Sequence, residues 1–123
     1  MAVVLVVDDE VFIRQIAETM IEDMGHESLA ASSMNEALEH LNSPKSIDAL
    51  FTDIRLKPKA PGGFELAQNA VALRPKLRVL YTTGSPMTEA MRALFVDGAF
   101  FLQKPYSPDQ FQTSVKELLA APF

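Results

Sequence analysis

Apolar residues in this chain come in two rhythms, short continuous runs and longer stretches with three- and four-residue spacing, and the two alternate from end to end. Val3 to Val7 is an unbroken aliphatic run, the pattern of a strand buried on both faces of a parallel sheet. Ile13, Ile16, Ala17, Met20, Ile21 and Met24 then recur at helical steps, and Gly25 follows as a helix-ending residue. Glu27 to Ala31 reads as a weaker strand. Ser33 with Glu36 three residues on is a capping box for a helix through Leu41, which Asn42, Ser43 and Pro44 close. Ile47 to Thr52 predicts a third strand, and the prolines, lysines and glycines between Arg55 and Gly63 predict a loop. Phe64 to Leu73 reads as a helix stopped before Pro75, and Leu77 to Thr82 as a fourth strand. Ser85 and Pro86 offer an N-cap and a first-turn proline for a helix through Val96, with Gly98 beyond it. Ala99 to Gln103 is the fifth strand. Ser107, Pro108, Asp109 and Gln110 then open a last helix that buries Phe111, Val115, Leu118 and Leu119.

Five repeats of strand then helix imply an α/β fold with a parallel sheet covered on both faces. Right-handed crossovers leave few topologies, and the expectation is a flavodoxin-like, doubly wound five-stranded sheet of order 2-1-3-4-5 with five helices. One domain over residues 1–123 suits this length.

Composition narrows the function classes. A formal charge of −5 and the lack of a Lys/Arg cluster argue against direct binding to nucleic acid. With no cysteine there is neither a disulfide framework nor a thiolate metal site, so a cytoplasmic address is expected. The apolar run Ala2 to Val7 is too short for a membrane span and follows no basic stretch.

Ligands of such sheets bind beyond the carboxyl ends of the strands. Strand one ends in Asp8 and Asp9, strand three in Asp53, strand four in Thr83 and strand five in Lys104 followed by Pro105. Taken singly, each has a plainer reading: Asp8 and Asp9 as helix caps, Asp53 and Thr83 as turn residues, Lys104 as a solvated loop lysine. Their joint placement after four strands points to chemistry instead. Two carboxylates about 4 Å apart repel by roughly 4 kcal/mol at an effective dielectric near 20. A hard divalent cation relieves that repulsion, and an oxygen-only donor set without His or Cys favours Mg²⁺ over zinc. An Asp carboxylate beside such a cation can take a phosphoryl group covalently, with Lys104 and the Thr83 hydroxyl neutralising charge. His26 and His40 lie outside this rim, and the methionines fall mostly at core spacing.

The segments Val-Leu-Val-Val-Asp-Asp-Glu, Leu-Phe-Thr-Asp-Ile, Leu-Tyr-Thr-Thr-Gly and Leu-Gln-Lys-Pro-Tyr, in this order, resemble the receiver domain of bacterial two-component response regulators. The chain is similar in size to the stand-alone chemotaxis regulator. The resemblance implies that Asp53 is phosphorylated, that Asp8 and Asp9 help Asp53 hold Mg²⁺, and that the backbone carbonyl of Arg55 is a further metal ligand. It also implies that Thr83 and Lys104 contact the phosphoryl oxygens and that Phe101 is the aromatic switch, with Phe100 as the alternate. The implied partners are a sensor histidine kinase or histidine phosphotransfer protein, an unidentified downstream target, and a second copy in a phosphorylation-dependent homodimer. The signal would leave through the face of helix four, strand five and helix five. The domain would be a phosphoacceptor that assists its own phosphorylation and dephosphorylation rather than an enzyme.

Two departures stand out. The loop after Asp53 is longer than the common pattern, with Pro58 displaced by one residue and Gly62-Gly63 where a single glycine usually comes sooner. The chain between Gly98 and Lys104 is one residue short, which leaves Phe101 and Phe100 both open. Three other functions fit less well. An aspartyl-nucleophile phosphatase needs a second Asp where Arg55 stands. A nucleotide or flavin binder needs a loop without Asp8, Asp9 and Glu10. A receiver-like module that works without phosphate has no use for the full set of Asp8, Asp9, Asp53, Thr83 and Lys104.

Overall fold

The computed structural model describes residues 1–56 and 62–121. Strands and helices alternate as β1 (Val3–Val7), α1 (Val11–Asp23), β2 (Glu27–Ala31), α2 (Met34–Leu41), β3 (Ala49–Asp53), α3 (Gly62–Leu73), β4 (Arg78–Thr83), α4 (Glu89–Arg92), β5 (Phe100–Gln103) and α5 (Pro108–Ala120). All neighbouring strands are parallel, in the order β2-β1-β3-β4-β5. This is the doubly wound sheet expected from the sequence pattern.

Alternation along the central strands splits the core in two. Leu5, Val7, Leu50, Val79 and Tyr81 face α2 and α3, whereas Val4, Val6, Ala49, Phe51 and Leu80 face α1 and α5. All five residues of β3 are buried, so a run apolar on both faces ends with a carboxylate at the rim. The register then sets the neighbours. Val7 pairs with Thr52, which brings Asp8 and Asp53 side by side, and Thr83 pairs with Gln103, which puts Lys104 one step beyond Thr83.

Helix ends follow the cap signals with two exceptions. In α5 the Ser107 hydroxyl accepts from the Gln110 N–H at 3.1 Å and the Gln110 side chain accepts from the Ser107 N–H at 2.8 Å, a complete capping box. In α2 the Ser33 hydroxyl accepts from the Glu36 N–H at 3.2 Å, but the Glu36 carboxylate accepts from the N–H of Ser32 rather than of Ser33. Helix α4 departs further from expectation. It is capped by Thr88, whose hydroxyl accepts from the Met91 N–H at 3.1 Å, so Ser85 and Pro86 do not open it and Thr83 lies well ahead of its start. Ser85 is committed elsewhere, its N–H to the Thr83 hydroxyl and its carbonyl to Gln103. Beyond Arg92 the Leu94 and Phe95 amides bond three residues back, to Met91 and Arg92, so the stretch expected to be α-helix through Val96 tightens into 3₁₀-type turns.

In α1 the buried residues are Ala17, Met20 and Ile21, while Ile16, expected in the core, is 57 % exposed, as is Phe12 at 79 %. The 3.6-residue spacing of Ile16 is right for the core face, but it lies at the edge of the stripe, toward the rim. Leu119 of α5 is half-buried against the core. Gly25 and Gly98 follow helical segments with φ of 86° and 75°, the left-handed conformation that favours glycine there. Among the described residues no helix is long and apolar enough to cross a membrane.

Candidate functional site

Three strand ends converge at the carboxyl rim. Lys104, carried out of β5, places its ammonium 3.1 Å from Asp8 Oδ2 and 3.1 Å from Asp53 Oδ2. The three side chains are 14 %, 2 % and 8 % exposed, so this triad is screened from bulk water. The other oxygen of each carboxylate takes a backbone N–H: Asp8 Oδ1 from Glu10 at 2.9 Å, and Asp53 Oδ1 from Arg55 at 3.0 Å. Arg14 of α1 reaches back to donate to the Asp8 carbonyl at 2.8 Å, which ties the start of that helix to the end of β1.

Burial pushes the Asp53 carboxyl above its ordinary value, and the Lys104 ammonium with the Arg55 N–H only partly offsets that rise. Burial alone would pull Lys104 down, but the two carboxylates outweigh it and the ammonium sits above its ordinary value. Lys104 therefore stays charged at neutral pH, and one positive charge faces two carboxylates.

Oxygens of Asp8, Glu10 and Asp53 lie within 4.8 Å of one another, an all-oxygen donor set with an excess of negative charge. That set fits a hard cation such as Mg²⁺. Glu10 is the member that sequence reasoning missed. The signal was present, since Glu10 directly follows the acidic pair, but only the turn after β1 decides which of three consecutive acids points at Asp53. Asp9 is half-buried and is not among the three.

Thr83 is fully buried, and its hydroxyl oxygen accepts from the Ser85 N–H at 3.2 Å. Phe101 packs toward the turns after α4 with its ring centroid 6.3 Å from that of Phe95, whereas Phe100 packs on the opposite face against the α1 and α5 core. Of the long loop after Asp53, Pro58 lies outside the described residues. Gly62 and Gly63 open α3, and a Cβ on Gly63 would meet the Asp53 carbonyl oxygen at 2.2 Å. The second residue of α3 thus presses against the backbone of the central carboxylate. His26 and His40 are engaged elsewhere, His26 with the Ala2 N–H and His40 with the Ala30 carbonyl.

Tyr106 borders the site two residues past Lys104, stacked on Phe111 at 5.6 Å and edge-on to Phe51. Burial raises its phenol to about 12, and burial also raises Tyr81, the other tyrosine of the chain. A phenol raised on folding adds stability in full below its unfolded value of 10.0, and that stability is lost as pH rises through the folded value. Spectrophotometric titration should accordingly show no tyrosinate forming near pH 10 in the folded protein. A rise with a normal midpoint while the fold persists would contradict the packing of both rings.

Beside Lys104 a cleft of about 430 Å³ is lined by Ile13, Ile16, Gly84, Lys104, Pro105 and Tyr106. It gives the triad an apolar approach from the side of α1.

Comparison with known proteins agrees with this geometry. A family model for the response regulator receiver domain matches residues 4–116. The alginate biosynthesis transcriptional regulatory protein AlgB of Pseudomonas putida is 31 % identical over 117 residues, covering 94 % of this chain and 25 % of that protein. Sensor kinase CckA of Brucella abortus is 30 % identical over 120 residues, 96 % of this chain and 12 % of that protein. The crystal structure of a response regulator receiver protein from Sinorhizobium medicae superposes with a TM-score of 0.87 at 31 % identity, covering 98 % of this chain and 95 % of that one. The chain spans about a quarter of the length of AlgB.

Proposed function

Because the chain belongs to the response regulator receiver domain family of two-component systems, we propose that Asp53 accepts a phosphoryl group and that the domain is a Mg²⁺-dependent signalling switch. The observation that carries this reading is the Lys104 ammonium held 3.1 Å from both Asp8 and Asp53 at the carboxyl rim of the sheet. An Asp53 oxygen attacks phosphorus, and the bond from phosphorus to the donor breaks, whether to the imidazole nitrogen of a histidine kinase or phosphotransfer protein or to the carboxylate oxygen of an acyl phosphate. The donor leaves with that electron pair, and Asp53 keeps the phosphoryl group as an acyl phosphate. Lys104 and the Thr83 hydroxyl donate to the phosphoryl oxygens as charge shifts toward the leaving atom. Asp8, Asp9, Asp53 and the Arg55 carbonyl, with Glu10, would hold Mg²⁺, which when bound supplies charge neutralisation at the phosphoryl oxygens. The domain is consumed and regenerated as a phosphoacceptor and is not an enzyme toward an outside substrate.

The apolar cleft between α1 and Lys104, with Ile16 exposed in its lining and Phe12 exposed on the same helix, is the side from which a protein donor would approach. The signal would leave through the face of α4, β5 and α5, where Phe101 lies on the same side of β5 as Phe95. New charge at Asp53 draws Thr83 toward it, and Phe101 follows into the space vacated. The outcome is a change in affinity for a downstream target or for a second copy, since a switch acts only through differential binding.

The test is incubation with acetyl phosphate with and without Mg²⁺, read by intact mass. One added phosphoryl group with Mg²⁺ and far slower labelling without it are expected. No mass gain under either condition would leave a receiver-like module that signals by contact alone.

A further inference from the structure

Gln103 is the last residue of β5, directly before Lys104, and its side chain spans the strand ends. Its amide nitrogen lies 2.7 Å from the Thr83 carbonyl oxygen, 3.1 Å from that of Ser85 and 3.3 Å from that of Lys104. All three partners are acceptors, so only the NH₂ end of the amide can face them. The Thr83 carbonyl also accepts the Lys104 N–H at 3.0 Å, and the Ser85 N–H donates to the Thr83 hydroxyl at 3.2 Å. One side-chain amide thereby joins, through backbone, the residue that carries the hydroxyl, the residue that carries the ammonium and the loop that orients the hydroxyl.

We propose that Gln103 is a positioning residue for phosphoryl transfer: its amide clamps the Thr83, Ser85 and Lys104 carbonyls and so fixes the Thr83 hydroxyl and the Lys104 ammonium relative to Asp53. The inference rests on the reading of Asp53 as the acceptor. Gln103 itself touches none of the reacting atoms, and its effect is on preorganisation. Donors already aimed at the developing charge cost no reorganisation during the reaction, whereas donors on a loosened loop must be ordered first. The backbone bond from Lys104 to Thr83 does only part of this work, because β5 pairs with β4 only as far as Thr83 and Gln103, and Ser85, beyond the last pair, is reached from β5 by the Gln103 amide.

Two substitutions separate the clamp from simple bulk. Gln103→Leu keeps the size and removes both donors. Gln103→Glu keeps the shape and turns an acceptor-only carboxylate toward three carbonyl oxygens. Each variant is compared with the wild type in the rate of labelling by acetyl phosphate at saturating Mg²⁺, in the Mg²⁺ midpoint, in thermal stability, and in amide hydrogen exchange at Ser85. The expected result is labelling slowed about fivefold in Gln103→Leu and more in Gln103→Glu, the equivalent of one or two lost hydrogen bonds. Ser85 exchange should quicken in both, with the Mg²⁺ midpoint and melting temperature close to wild type. A parallel shift of the Mg²⁺ midpoint would assign the effect to the metal site and overturn the proposal. So would labelling of both variants at the wild-type rate, whatever the exchange shows. If Gln103→Glu does not fold, Gln103→Leu alone decides. A wild type that takes no label contradicts the acceptor reading of Asp53 itself, and that result is distinct from labelled variants that match the wild type.

Discussion

Lys104→Ala should slow labelling by acetyl phosphate about a hundredfold or more, the usual effect of removing one preorganised donor from a site of developing charge, while Mg²⁺ binding strengthens. The two changes have one origin. In the wild type the ammonium sits 3.1 Å from each of Asp8 and Asp53 and competes with a cation for the same oxygens. Without it, two buried carboxylates face each other unpaired, at a cost of about 3 kcal/mol for a buried pair that loses a partner. The Asp53 carboxyl, already raised by burial, rises further once its main lowering influence is gone. A carboxyl with its folded value above the unfolded 3.8 favours folding in its protonated form, so stability is greatest in acid and falls as pH rises through the folded value. Denaturant melts of Lys104→Ala should show a steeper loss between mildly acid and neutral pH than the wild type, and Mg²⁺ should restore it. A variant as stable as the wild type at neutral pH without Mg²⁺, or one with weakened Mg²⁺ binding, would contradict this electrostatic account.

Gly63→Ala should destabilise the protein by about 3 kcal/mol, at the upper end for overpacking. The added Cβ would meet the Asp53 carbonyl oxygen at 2.2 Å and the Ile54 Cα at 2.7 Å, both backbone atoms that no rotamer change can move. Relief requires the start of α3 to back away from the end of β3, and that displaces Asp53. Labelling should fall along with stability. Gly84→Ala is the control, since nothing lies within 4 Å of its Cβ position, and it should change stability by no more than about 0.5 kcal/mol. Equal melting temperatures for the two variants would show that α3 does not bear on Asp53 as the structure has it.

The glycine pair also marks the limit of what a sequence discloses. Gly62-Gly63 stood out as an oddity of spacing in an apparent loop, but a close backbone approach is a fact of tertiary structure, and the helix they open begins two residues before the periodic pattern does. Strands β1, β3, β4 and β5 and helix α5 were legible because each rests on a clear local signal, an apolar run or a complete capping box. Helix α4 was not, since Ser85-Pro86 and Thr88-Glu89 are both acceptable starts, and one local and one long-range bond favour the second: the Thr83 hydroxyl and the Gln103 amide engage Ser85, and the Thr88 hydroxyl is left to cap. The exposure of Ile16 has a similar cause, its helical phase being right and its place at the rim invisible to periodicity. At the site, the residues at the ends of β1, β3 and β5 were identifiable from the strand pattern, and the parallel 2-1-3-4-5 order puts those ends on one rim, where Lys104 reaches both Asp8 and Asp53. Glu10 was hidden because three adjacent acids look alike until the turn is built.

The most direct test of the acceptor assignment is to label wild type and Asp53→Asn side by side with acetyl phosphate and Mg²⁺ and to map the modified residue by peptide mass spectrometry. One phosphoryl group on the wild type, in the peptide that carries Asp53, and none on Asp53→Asn is the result this account predicts. Label that persists in Asp53→Asn, or that maps to another residue in the wild type, would contradict it.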